Sequence, residues 1–226
     1  MFTEKELYEF IEFNLKQNQE EAEKALLQKK KEKAKKILEN SGISERYKRK
    51  VFENFETTEY NRNIYLKVYD YAKNFDSQKK GLLLTGEVGT GKTHLASATA
   101  NYLINQLKIV YMGNIIDILN KIRSSYNKDS EYTEDLIIKT FTEGLDLLII
   151  DDLGKEKTTE YTQSIIYQLI NRLYENEKKV IITTNFNADS LIEKFDEKGE
   201  AIVSRLVEMC DVIVMMGEDW RLKNGK

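Results

Sequence analysis

The sequence has 226 residues, of which 41% are hydrophobic and 32% charged, so it contains enough apolar material for a core and suits one or two domains. Its formal charge of −3 excludes wholesale electrostatic binding to DNA or membranes, and any nucleic-acid contact must use a local patch. One cysteine and one histidine exclude an internal disulfide and a Cys/His zinc module. No apolar run approaches ~18 residues and no signal-peptide pattern is present, so we expect a reduced, cytoplasmic protein.

Charge is divided sharply along the first fifty residues. Residues 1–23 contain two lysines and seven glutamates, whereas residues 24–50 contain eleven lysines and arginines and three glutamates. We expect residues 1–42 to form a helical, charged N-terminal segment ahead of a larger domain at residues 43–226. Two interpretations stay open, because a charge run can be a solvated face or a binding surface. The segment is either a helical hairpin with solvated lysines or a docking arm for a protein partner or nucleic acid.

Two helices are predicted in this N-terminal segment. Thr3 and Glu6 form a capping-box pattern at the start of the first. Its apolar face comprises Leu7, Phe10, Ile11 and Leu15. The second spans roughly residues 20–39 and ends near Gly42. The first helix is short and aromatic-rich, which favours docking.

From about residue 80 the pattern changes to short apolar runs separated by helical stretches, which is typical of an α/β fold with a parallel sheet. Five strands are predicted, at Gly81–Thr85, Lys108–Met112, Leu145–Ile150, Val180–Asn185 and Val212–Met216. Aromatic residues ahead of the first strand recur at helical spacing and are expected to pack in the core: Tyr65, Tyr69, Tyr71 and Phe75. The single cysteine, Cys210, is expected to be a small buried hydrophobe.

The first predicted strand leads directly into a phosphate-binding loop. Residues 86–93 read GEVGTGKT, which is the full pattern GxxxxGK[ST], and a helical period follows. Glycines let backbone N–H groups converge on phosphate oxygens at a helix N-terminus. Lys92 can reach the β- and γ-phosphates, and the Thr93 hydroxyl can ligate Mg²⁺. We expect ATP or ADP to be bound by Gly86, Glu87, Val88, Gly89, Thr90, Gly91, Lys92, Thr93 and His94.

A second apolar run ends in two carboxylates, Asp151 and Asp152. Burying unpaired carboxylates at a strand end is costly, although a solvated turn after the strand is the simpler alternative. Asp151 fits the Walker B role of holding Mg²⁺ through water, and Asp152 fits the position that orients or deprotonates the attacking water. Because Asp152 already has that place, His94 is expected to pack or cap rather than act as a base.

A third run, from Val180, ends in Thr183, Thr184 and Asn185. A strand tip between the two motifs would let Asn185 touch the γ-phosphate or its water. By itself the signal is weak, since Thr-Thr-Asn is also ordinary turn chemistry.

Five segments now make a resemblance specific: GEVGTGKTHLA, LLIIDDLGKEKTTEY, LINRLYENEKKVIITTN, SRLVE and GEDWRLK. Their order resembles that in bacterial replicative-helicase loaders of the DnaC/DnaI type, whose AAA+ module is shared with transposition helper ATPases of the IstB type. The resemblance covers roughly residues 41–226, beginning with SGISERYKRKVFENF, with Ser44 where many relatives carry proline. It implies that Asn185 is sensor 1, Arg205 the arginine finger and Arg221 sensor 2. From the residues alone, surface ion pairing is the default for both arginines.

The resemblance implies an AAA+ ATPase that loads a DnaB-type, ring-shaped helicase onto single-stranded DNA. It further implies docking through residues 1–42, self-assembly through a shared ATP site, and hydrolysis that is slow outside the assembly. The runner-up is an IstB-type helper ATPase that binds duplex DNA and a transposase. A small-molecule P-loop kinase and an adaptor that binds ATP but scarcely hydrolyses it are the remaining alternatives.

Departures from wider families sharpen these expectations. Only five residues follow Arg221, so little or no C-terminal helical lid is expected. The absence of a helix-turn-helix pattern argues against an initiator that reads duplex DNA. The N-terminal segment contains no cysteine, which predicts a metal-free docking module.

Overall fold

The computed structural model of the protein describes residues 45–126, 132–217 and 219–220, together with scattered positions between 16 and 32. The chain divides into two compact units, Met1–Glu39 and Asn40–Lys226. In the first unit the described positions, which lie between residues 16 and 32, are helical. The capping box at Thr3 and Glu6 and the apolar face predicted for the first helix lie outside the described residues.

The second unit contains a parallel sheet of five strands, as predicted. The strands are β1 (Gly81–Gly86), β2 (Val110–Asn114), β3 (Leu147–Leu153), β4 (Val180–Thr184) and β5 (Cys210–Met215). Their order across the sheet is β2-β3-β4-β1-β5, and every neighbouring pair is parallel. The predicted α/β fold with a P-loop in a five-stranded parallel sheet is therefore confirmed.

Helices connect successive strands. They are α1 (Glu45–Lys48), α2 (Arg62–Lys73), α3 (Lys92–Asn105), α4 (Ile115–Arg123), α5 (Glu134–Glu143), α6 (Glu160–Glu175), α7 (Ala188–Phe195) and α8 (Gly199–Met209). Short 3-10 turns occur at Phe52–Asn54, Phe75–Ser77, Ser124–Tyr126 and Asp196–Lys198. No helix in the described ranges is long and apolar enough to cross a membrane.

Both faces of the sheet are buried, which explains why its strands read as continuous apolar runs. Leu82, Leu84 and Ile149 belong to a cluster that includes apolar residues of α2 and α3. Side chains alternate along a strand, and their neighbours Leu83 and Ile150 are equally buried on the opposite face. The core therefore has two layers of helices around one sheet.

The predicted packing of the aromatic residues and of the cysteine is confirmed. Tyr71 and Phe75 are buried, and Tyr65 packs against the same cluster from a partly buried position. Cys210 is 2% exposed. Burial raises the pKa of its thiol to about 12, so this cysteine is an inert core residue.

Candidate nucleotide-binding site

The sheet order brings the phosphate-binding loop after β1 and the two aspartates at the end of β3 to the same edge of the sheet. β4 pairs with both β1 and β3, so the strand that ends at Thr184 lies between the loop after β1 and the carboxylates of β3. Carboxyl ends of parallel strands share an edge, and ligands of such sheets bind in the crevice outside it. The tip of β4 therefore lies between the two motifs.

The phosphate-binding loop depends on two glycine positions. Gly86 has φ 135°, and a Cβ there would lie 2.0 Å from the carbonyl oxygen of Met215 in β5. Gly91 has φ 98° and is the N-cap of α3. Only glycine adopts such conformations readily, and this backbone path lets the loop open onto the N-terminus of α3.

The lysine of the loop is held by the loop itself. Lys92 is 5% exposed, and its Nζ donates to the carbonyl oxygens of Gly86 at 2.6 Å and Glu87 at 2.5 Å. The Thr90 hydroxyl also donates to the Glu87 carbonyl, at 2.9 Å. The ammonium group is thus kept at the mouth of the loop, where an incoming phosphate can exchange for carbonyl oxygens.

Asp151 is surrounded by hydroxyl groups. Its Oδ1 accepts hydrogen bonds from Thr93 at 2.8 Å and from Thr183 at 2.6 Å, and its Oδ2 accepts one from Tyr47 at 3.2 Å. The residue is 3% exposed, and within the described residues no lysine or arginine forms an ion pair with it.

A buried carboxylate without a cationic partner, beside a threonine hydroxyl, is an oxygen donor set that suits Mg²⁺. No group of three or more His, Cys, Asp or Glu residues in the described ranges could hold a metal. A metal here would therefore depend on Thr93, Asp151, water and the phosphates together, which is how Mg²⁺ is usually bound.

Asp152 lies in an irregular part of β3. The register between β3 and β4 shifts between Ile150 and Leu153, and Asp152 has φ 61°. Its backbone N–H donates to the Thr183 hydroxyl at 2.9 Å, and its carboxylate pairs with Lys155 Nζ at 2.8 Å. The bulge turns consecutive aspartates in different directions.

A cleft of about 310 Å³ lies over the loop. The structure brings eight of the predicted site residues together in its lining: Val88, Gly89, Gly91, Lys92, Thr93, His94, Asp152 and Asn185. A neighbouring cavity of about 290 Å³ lies beside Asp151. The two cavities share Thr93, Asp152 and Lys155.

His94 forms part of the wall of the cleft. Its Nε2 lies 2.9 Å from the Val51 carbonyl oxygen and 3.0 Å from Oδ1 of Asn54, and its ring contacts Phe55 edge-on at 5.1 Å. Burial lowers the pKa of the imidazole. The ring is thus engaged in packing and hydrogen bonding, as expected, and its contact with nucleotide stays a prediction.

Arg205 does not line the cleft of its own chain. Its Nε donates to Asn171 Oδ1 at 2.9 Å and its Nη1 to the Ala201 carbonyl at 2.9 Å. The guanidinium also lies over two tyrosine rings, 5.4 Å from Tyr167 and 5.6 Å from Tyr174. Arg205 is therefore oriented by residues of α6 and α8.

The C-terminal motif reaches the loop just before the described residues end. The backbone N–H of Trp220 donates to the Gly89 carbonyl at 3.3 Å. Arg221, the predicted sensor 2 residue, lies outside the described residues.

Sequence reasoning missed four residues that the structure brings to the site: Tyr47, Lys50, Lys155 and Thr183. Lys155 and Thr183 lie within the quoted motifs, so their positions carried a signal. Tyr47 and Lys50 come from a segment about forty residues ahead of the loop, and only the folded chain places them there.

The family described as "IstB-like ATP binding protein" matches residues 14–226. The chain belongs to this family. It is 30% identical over 199 residues to the replicative helicase loader DnaC of Buchnera aphidicola subsp. Baizongia pistaciae, a match that covers 88% of this chain and 79% of the relative.

Solved structures agree with this family. A DnaC helicase loader is 25% identical, with a TM-score of 0.67, and the match covers 76% of this chain and all of that one. A replication initiator DnaA bound to AMPPCP and single-stranded DNA is 26% identical, with a TM-score of 0.62. That match covers 75% of this chain and spans half the length of the DnaA chain. The resemblance of this IstB-family chain to DnaC-type AAA+ proteins is confirmed, and the family binds ATP.

Proposed function

We propose that this IstB-family protein is an ATP-dependent loader of a replicative DNA helicase onto single-stranded DNA, acting in the initiation or restart of replication. The observation that carries the proposal is the match to proteins named as replicative helicase loaders over 88% of the chain. A match of 199 residues is longer than residues 43–226, so it extends into the N-terminal segment that we expect to dock the helicase.

The site geometry supports ATP hydrolysis to ADP and phosphate. Thr93 and Asp151 would hold Mg²⁺, which when bound would neutralise charge on the phosphate oxygens. Asp152 would orient or deprotonate the attacking water once the phosphates draw Lys155 away from it. Asn185, at the tip of the strand between the two motifs, would contact the γ-phosphate or this water.

The position of Arg205 supports a shared site. Two of its nitrogen atoms form hydrogen bonds with Asn171 and Ala201, and its guanidinium lies over two tyrosine rings of α6, while other residues line its own cleft. A guanidinium supplied by one subunit to the γ-phosphate of the next would stabilise the transition state. Hydrolysis would then be slow in the monomer and would rise on assembly.

A surface after β2 is the candidate for single-stranded DNA. Lys121 and Arg123 lie in the last turn of α4, and Tyr126 ends the 3-10 turn that follows. Arg123 lies over the ring of Tyr161 at 5.4 Å, which adds an aromatic ring to the patch. Lys128, the fourth predicted member, lies outside the described residues. Positive charge with aromatic rings suits backbone tracking and base stacking.

Charge reversal tests this surface. Lys121→Glu together with Arg123→Glu should weaken binding to single-stranded DNA and reduce its salt dependence, because phosphate contacts release counterions. Fluorescence anisotropy at several salt concentrations would measure both quantities. Unaltered affinity and salt slope would exclude the patch while leaving helicase loading intact as a proposal.

The second candidate is a transposition helper ATPase, which the family description IstB-like favours. The two functions differ in partner, so pull-down separates them. The loader proposal predicts that the protein captures a replicative helicase from purified components in the presence of ATP and does not capture a transposase. Capture of transposase alone would favour the helper ATPase.

A further inference from the structure

The leading segment, which we define as residues 47–51, is fastened to α3 at both ends. The side-chain amide of Asn101 donates to the carbonyl oxygens of Tyr47 at 3.0 Å and Lys50 at 2.8 Å. At the other end, the Val51 carbonyl lies 2.9 Å from Nε2 of His94. Because α3 begins at the phosphate-binding loop, these bonds hold the leading segment beside the nucleotide cleft.

This attachment places the side chains of Tyr47 and Lys50 at the site. The Tyr47 hydroxyl reaches Oδ2 of Asp151 at 3.2 Å, and Lys50 lines the same cleft as Lys92 and Lys155. The Nζ of Lys50 lies 5.8 Å from the centroid of the Tyr47 ring. Tyr47 thus contacts the Asp151 carboxylate through its hydroxyl and the Lys50 ammonium group through its ring.

The side chains that line the cleft carry an excess of positive charge. Three lysines line it against one carboxylate, that of Asp152. Lys155 already pairs with Asp152 at 2.8 Å, and Lys92 is bonded to loop carbonyls. A triphosphate brings several negative charges, and cations that line the cleft would strengthen its binding.

We propose, resting on the ATP-binding part of the proposed function and not on helicase loading, that Lys50 is an additional phosphate-binding residue for a nucleoside triphosphate. Its ammonium group would contact the phosphates from the wall of the same cleft. Asn101 and His94 are positioning residues, since they fix the backbone from which Lys50 projects. The phosphate site is therefore built from two separate parts of the chain, the loop at residues 86–93 and the leading segment.

The test is the affinity of the full-length protein for ATP, measured by calorimetry with Mg²⁺ and without helicase or DNA. Lys50→Met should weaken binding by about tenfold, which corresponds to roughly 1.4 kcal/mol. Lys50→Arg should bind within about threefold of wild type, because it keeps the charge. Lys48→Met is the matched control: Lys48 belongs to the same segment but pairs with Glu45 on the surface, and its loss should leave affinity unchanged.

Two further variants separate the possible failures. Asn101→Ala should also weaken ATP binding although the lysine remains, because the segment loses its attachment. Lys92→Ala reports on the ATP site itself and should abolish binding. If Lys92→Ala abolishes binding while Lys50→Met matches wild type, the role of Lys50 is overturned and the ATP site stands. If Lys92→Ala binds ATP normally, the ATP site fails as well.

Discussion

The hydroxyl of Thr183 donates a 2.6 Å hydrogen bond to the buried carboxylate of Asp151. The hydroxyl oxygen of Thr183 also accepts a hydrogen bond from the backbone N–H of Asp152 at 2.9 Å. One side chain of β4 therefore fixes both the aspartate that we propose to hold Mg²⁺ and the backbone of the aspartate that we expect to act on water. This arrangement makes the central strand part of the site.

Thr183→Val tests that connection, because valine keeps the volume and removes both hydrogen bonds. ATP hydrolysis should fall by roughly tenfold, and the free energy of unfolding should fall by about 1–3 kcal/mol because the backbone N–H of Asp152 is left without its acceptor. ATP affinity should change little.

Thr184→Val is the matched control in steady-state kinetics and thermal melts. Thr184 is equally buried, and its hydroxyl donates to the Leu153 carbonyl at 2.7 Å rather than to a carboxylate. If both variants lower turnover equally, the effect of Thr183 is one of stability and not of positioning.

Asp152→Asn should separate binding from hydrolysis. Asparagine tolerates the left-handed backbone that this position requires, with φ 61°, so the variant should fold normally. It loses the carboxylate that we expect to orient the water, and turnover should fall at least a hundredfold, within the range of general-base contributions. Nucleotide binding by calorimetry should persist. Hydrolysis at the wild-type rate would mean that another group is the base.

Mixing two inactive variants tests the shared site. Arg205→Ala should hydrolyse ATP slowly yet bind it, and Lys92→Ala should not bind it. Together they should recover part of the activity, because each supplies what the other lacks. Arg172→Ala is the control, since Arg172 lies on α6 but pairs with Asp135 at the surface. Wild-type turnover that is independent of protein concentration would contradict a shared site.

A buried glutamate predicts a pH effect on stability. Glu156 is 3% exposed, and its Oε1 has no hydrogen-bond partner within the described residues. Burial raises the pKa of this carboxyl above its ordinary value of 4.5. The folded state therefore holds the proton in a pH window above that value in which the unfolded state has lost it, so stability falls as pH rises through the window.

Glu156→Gln removes this titration. The loss in melting temperature between about pH 5 and about pH 8 should be smaller in the variant than in wild type. Glu193→Gln, an exposed replacement on α7, serves as the control and should follow wild type. Parallel melting curves for wild type and Glu156→Gln would show that the carboxyl is ionised in the folded protein throughout this range.

The strands and the phosphate loop were predictable because their signals are local. Leu147–Ile150 is apolar without interruption and ends in two aspartates, and GxxxxGK[ST] fixes a backbone path by itself. The sheet order was not predicted: a strand tip between the two motifs would let Asn185 reach the γ-phosphate, but the pattern of Val180–Thr184 does not say which strands it pairs with.

The contacts of Tyr47, Lys50 and Arg205 were not predictable from the residues. Each depends on tertiary contacts between different segments of the chain. Tyr47 and Asp151, for example, form a hydrogen bond although 104 positions separate them in the sequence. Charge and aromatic spacing say nothing about such distances, because they report on one helix or strand at a time. For Arg205 the family resemblance supplied a role, whereas its tyrosine and asparagine contacts come from the packing of α6 against α8.

Helicase loading itself is the most direct test of the account. The purified protein, a replicative ring helicase and circular single-stranded DNA are mixed with ATP, and helicase bound to the circle is measured after gel filtration. We predict that the wild-type protein transfers the helicase, and that neither Lys92→Ala nor a variant lacking residues 1–42 does so, although the latter still binds ATP. Loading at the same level without the protein, or undiminished loading by both variants, would contradict the account.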